Sequence, residues 1–131
     1  MDRAGLGAPP GHLRSVDRHR RADGYRAARA LLAADPRPDA VVCSSDPLAI
    51  GAMRAAFDLG LRVPEDVAVI GMGDSEEGRY WRPALSSVSV DTAGLAREAV
   101  ARIVARIARP GAPPARITVA HSVRARASSG G

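Results

Sequence analysis

The residues best suited to chemistry fall in two polar clusters, each directly after an apolar run: Ser44-Ser45-Asp46 and Gly73-Asp74-Ser75-Glu76-Glu77. An ionised carboxylate offers about four lone-pair sites in a fixed fork, so Asp46 is suited to accept two hydrogen bonds from hydroxyls of a sugar or ribose. Placed just before Pro47, it also carries the signature of a helix N-cap, and composition alone does not separate the two roles. Asp74 with Glu76 and Glu77 supplies oxygen ligands of the kind hard cations take. The three lack the fixed alternation of a calcium loop, and a solvated acidic loop is the better reading. Trp81 lies between Tyr80 and Arg82-Pro83. Packing its loop against the core is the favoured role, and stacking on a sugar ring is the other.

Other chemistries find no support. His12, His19 and His121 have neither a mutual spacing nor a nearby Cys or Glu that would make a zinc or nucleophile constellation. Gly71 and Gly73 lead into Asp74, not into a helix opened by small residues, so no phosphate-cradling loop is present. An enzyme using Asp46 or Asp74 as a base would lack a paired nucleophile, a neighbouring His and a cofactor loop. No catalytic residue, metal or cofactor is expected.

The elements that position these clusters follow from periodicity. GYRAARALLAAD from Gly24 puts Tyr25, Ala28, Leu31 and Leu32 on one helical face, and Asp35-Pro36 stops it. Ala40 to Cys43 is continuously apolar, as in a parallel strand covered on both faces. A helix from Pro47 to Leu59 and a second buried strand, Val67 to Met72, complete a βαβ unit over residues 39 to 72. In such sheets ligands bind at the carboxyl ends of the strands, where both clusters lie. Leu85 to Val90 reads as a third strand, and Asp91 or Thr92 caps a long helix striped by Leu95, Ala99, Val100, Ile103, Val104 and Ile107. Arg116 to Ala120 reads as a last strand, and the terminal SSGG is expected to fray. Residues 1–22, rich in Gly, Pro and Arg, are expected to be disordered or poorly packed.

Composition bounds the rest. With 131 residues, 46% hydrophobic and 25% charged, the chain has room for one packed α/β domain. Aromatics are 3%, too few to make a stacking platform for single-stranded nucleic acid. All 19 basic side chains are Arg, interspersed with 14 acids to a net charge of +5, so a solvated face explains the basic stretch Arg14 to Arg29 better than a phosphate-binding patch. The single cysteine, Cys43, excludes disulfides within one chain and suits a reducing compartment. No run is apolar enough for a membrane span or a signal-peptide core, so the expected location is cytoplasmic.

Five segments in order are more specific than any of these features. GYRAARALL (Gly24 to Leu32), PDAVVCSSDPLAIGAMRA (Pro38 to Ala55), GLRVPEDVAVIGMGD (Gly60 to Asp74), RPALSSVSVD (Arg82 to Asp91) and VRARASS (Val123 to Ser129) together resemble the effector-binding core of the LacI/GalR family of bacterial transcription regulators. The departures are Ser45 for the usual Asn, Met72 for Phe or Tyr, Gly73 for the first aspartate of a pair whose second is Asp74, Ser86 and Ser87 for threonines, and Arg124-Ala125 for an apolar pair. The resemblance implies a partial periplasmic-binding-protein-like (Rossmann-like) fold over residues 23–129: a parallel sheet with flanking helices, incomplete against the full domain. It implies a small-molecule effector, sugar or nucleoside-like, contacted through Asp46, Ser45, Asp74 and Trp81, with a weaker, structural part for Asp74. It further implies a homodimer through the first two helices, with Ala28, Leu32, Met53, Ala56 and Phe57 at the interface.

Operator DNA would be met only through a helix-turn-helix, which residues 1–22 do not resemble. The helix over 92–108 crosses in the family to another subdomain. Here it is expected to fold back on the βαβ unit or leave its stripe exposed. A transport-type sugar-binding protein shares the fold, but the VPEDVAVIG run speaks for the regulators.

Overall fold

The computed structural model describes residues 11–111 and 113–131. Of the segment expected to pack poorly, residues 1–10 lie outside the described residues, and 11–20 carry neither helix nor strand. The elements run α1 (Arg21–Leu32), β1 (Ala40–Val42), α2 (Asp46–Asp58), β2 (Ala68–Met72), α3 (Glu76–Tyr80), β3 (Ser86–Val90), α4 (Thr92–Ala108) and β4 (His121–Arg124), closed by a 3₁₀ turn at Ala127–Ser129. The sheet order is β1-β2-β3-β4. The first three strands are parallel, with Val41 opposite Val69 and Gly71 opposite Ser87, and β4 joins antiparallel with Val123 opposite Val88.

The core is built around α2. Leu48, Ala49, Ile50, Gly51, Ala52, Met53, Ala55 and Ala56 are all buried, because α2 lies between α1 and the sheet and is apolar nearly all round. The two helices meet at backbone distance. A Cβ on Gly24 would fall 2.2 Å from the Leu48 carbonyl oxygen, and one on Gly51 2.0 Å from that of Arg21. The small residues that the resemblance assigned to a contact between subunits thus serve a contact inside the chain. Ala28, Leu32, Met53 and Ala56 are buried in the core, and of that set Phe57 alone keeps an exposed surface, 39%.

Three further expectations change. β1 is covered on one face only, and β2 more fully on that face than on the other: Val41 and Val69 are buried, Val42 is 78% exposed and Ile70 half-buried, because α1 and α2 lie on the same side. Of the two courses open to the long helix α4, it takes the second: none of its residues is buried, and its apolar stripe from Leu95 to Ile107 is exposed. The last strand is His121–Arg124, not 116–120, because β3 ends at Val90 and leaves the earlier residues nothing to pair with beyond one bond from the Asp91 amide to the Ala120 carbonyl. The terminal serines do not fray: Ser128 is buried between β2 and β3, its hydroxyl donating to the Val69 carbonyl (2.6 Å) and accepting from the Ser86 amide (2.8 Å). The N-cap of α4 is Asp91, as its sequence suggests, with Oδ1 accepting from the Gly94 amide at 2.8 Å.

Candidate functional site

The carboxyl ends of β1 and β2 bring the two polar clusters together around Asp46. It opens α2, but Ser45 is the N-cap residue and the Asp46 carboxylate does not cap its own helix. One oxygen accepts from the Ser87 hydroxyl (2.7 Å) and the other from the Ser75 amide (2.5 Å). The residue is 1% exposed, so both the cap and the hydroxyl-binding fork read from sequence are replaced by an internal role. A Cβ on Gly71 would sit 2.3 Å from Asp46 Oδ1, so the bare backbone of β2 makes room for this carboxylate. Beside it, the Ser45 hydroxyl is buried without a hydrogen-bond partner among the described residues.

Ser87 relays the order outward, because its hydroxyl oxygen also accepts from the Asp74 amide at 2.9 Å. Asp74 is held in the left-handed region at φ 53°, which aspartate tolerates better than most residues. Its carboxylate meets Arg126 at 2.6 Å and Arg79 at 3.0 Å. Burial works to raise its pKa, and the hydrogen bonds and charges of Arg126 and Arg79 outweigh it, leaving the carboxyl below its usual range. Ser75 then caps the short α3, accepting from the Gly78 amide, and Trp81 follows, half-buried against the core. The Cys43 thiol, at the end of β1, is pushed up to about 11 by burial and stays protonated at neutral pH.

Three residues of consequence escape a reading of the sequence. Arg21, the first residue of α1, reaches across to Glu77, with Nε 2.9 Å from Oε1. Arg126 and Ser128 arrive from the far end of the chain, while Ser75, named within the second cluster, meets Asp46 through its backbone amide. The available signals are the Ser86-Ser87 pair inside a strand and the lone Arg-x-Ser after it, polar groups placed where a parallel sheet is otherwise apolar. The acidic cluster is dispersed onto arginines, and no group of His, Cys, Asp and Glu among the described residues is placed to hold a metal ion.

Residues 3–129 match the family described as periplasmic binding protein-like domain. The chain belongs to that family. Its relatives there are regulators of the LacI/GalR type, and it corresponds to their C-terminal region. The HTH-type transcriptional repressor PurR of Escherichia fergusonii is 40% identical over 96 residues, which is 73% of this chain and 28% of the repressor. A LacI-family transcriptional regulator from Sanguibacter keddieii superposes with a TM-score of 0.89 at 34% identity, over 99% of this chain and 50% of that one. The transcriptional regulator CelR in complex with cellobiose gives 0.86 at 33% identity, over 96% of this chain and 38% of its own. The chain therefore spans little more than a quarter of the length of this curated relative.

Proposed function

We propose that this chain is the effector-sensing part of a LacI/GalR-type transcriptional repressor that responds to a sugar or similar small metabolite, and that it has no catalytic activity of its own. The carrying observation is the Asp46–Ser87–Asp74 relay, which spends buried polar groups on fixing a loop at the carboxyl edge of the sheet. Ligands of open α/β sheets bind at this edge. The effector would meet the rim above Asp46: the unpartnered Ser45 hydroxyl, Asp74 and the half-buried Trp81, with Arg21 and Glu77 alongside. Asp46 itself would position that rim. The likeness to a cellobiose-bound regulator supports a sugar.

In the intact regulator the chain would form a homodimer, through Phe57 and the polar outer residues of α1 and α2, and would reach operator DNA through a segment this chain does not resemble. Its place would be the cytoplasm, which agrees with the lack, among the described residues, of any helix long and apolar enough to cross a membrane. A transport-type binding protein is not favoured, since the curated relatives are repressors. Ligand-detected NMR against disaccharides and nucleosides, cellobiose among them, tests the reading. Saturable binding without chemical change, lost in Trp81→Ala and Asp74→Ala, is expected; turnover of any of them would overturn it.

A further inference from the structure

We propose that the segment Arg126–Ser129 is a latch that sets the conformation of the loop between β2 and α3, with the Arg126 guanidinium on the Asp74 carboxylate as its point of release. Two features separate a latch from ordinary packing of a chain end. The first is the depth of its anchor. Ser128 is fully buried and bridges β2 to β3 through Val69 and Ser86, and the Ser86 hydroxyl in turn bonds both the amide and the carbonyl of Arg126, at 2.8 and 2.9 Å.

The second is where the anchored arginine points. Its fork is divided, one nitrogen donating to the Leu85 carbonyl (2.7 Å) and the other to Asp74 Oδ1 (2.6 Å). The remaining charged partner of Asp74, Arg79, belongs to α3 and moves with the loop, so it cannot fix the loop to the sheet. Arg126 comes from outside and can. Asp74 sits in a sparsely populated backbone conformation, which persists only where its surroundings over-determine it. The Ser87 and Arg126 contacts do so from two sides.

A consequence follows for the proposed effector, and it rests on that reading where the latch does not. Only Ala125 separates Arg126 from β4, so a shift of β4 along β3 carries the guanidinium with it and disturbs the rim of the site.

Hydrogen exchange of the full chain without any effector tests the latch by itself. In Arg126→Met, the amides of residues 74–80 should exchange at least about tenfold faster, the size expected for losing a hydrogen bond between charged groups, while those of α2 and β2 stay at the wild-type rate. Asp74→Asn, which weakens the same contact from the other side by removing its negative charge and leaves residues 126–129 unchanged, should give the same local pattern. Arg126→Lys, which keeps the charge and loses the fork, should recover part of the protection. Acceleration spread evenly over the core, or none in the loop, would overturn the proposal; the first would mean that Arg126 serves global stability only. Should Arg126→Met fail to fold, Asp74→Asn decides between the same two outcomes.

Discussion

At the scale of single residues, the chemistry of the site is that of buried polar groups satisfying one another. Asp46→Ala would strand the Ser87 hydroxyl and the Ser75 amide in a buried setting. Urea unfolding should record a loss of about 2–4 kcal/mol, more than a helix cap alone would cost. Asp74 adds a pH dependence whose sign is set by the direction of its shift. Its carboxyl titrates lower in the folded chain than in the unfolded one, so its contribution is complete above the ordinary carboxylate range, near pH 4, and is lost as pH falls through the lower, folded value. The midpoint of urea unfolding should therefore drop on acidification, and less steeply in Asp74→Asn. That Asp46 would matter was legible from its position before Pro47. Its partners were not, because they lie 29 and 41 residues away and one of them is a backbone amide.

At the scale of elements, periodicity identified α1, α2, β2, β3 and α4 because each carries a local apolar pattern. Where the reading failed, the deciding contact was with another element. The continuous apolar run of β1 predicted cover on both faces, yet a strand's composition cannot say whether a helix is at hand to supply it. The Ala- and Gly-rich faces of α1 and α2 did announce close approach, and left open what would approach them. Gly51→Ala should be severe, since the added methyl would meet the Arg21 carbonyl 2.0 Å away, deep inside any tolerated contact. Thermal melts should show a loss of at least about 2 kcal/mol, beyond the slight gain that Ala normally brings to a helix. α4 makes the opposite case. With 17 residues and none buried, it depends on its own hydrogen bonds, its Asp91 cap and the Glu98–Arg102 pair at 3.9 Å. Most of a helix's stability in a protein comes from packing its apolar face, and that of α4 is unburied. Its amides should exchange well ahead of those in α2, by mass-resolved exchange on the same sample.

At the scale of the molecule, the chain exposes 9065 Å². A compact monomer of its 13.6 kDa would expose roughly 6,600 Å². The exposed outer face of β1 and a helix with no buried residue both add to the difference. The denaturant slope of unfolding scales with the surface newly exposed. The urea m-value should accordingly fall below that of a fully packed domain of equal length.

The latch also has a place in time. Arg126 follows Asp74 by 52 residues, so during synthesis the loop exists before the group that secures it. At about 5–20 residues per second, that interval is roughly 3–10 s. Through those seconds the βαβ unit can fold around its local contacts while the loop after β2 stays unset, so the nascent domain gains its core before the carboxyl edge of its sheet is fixed.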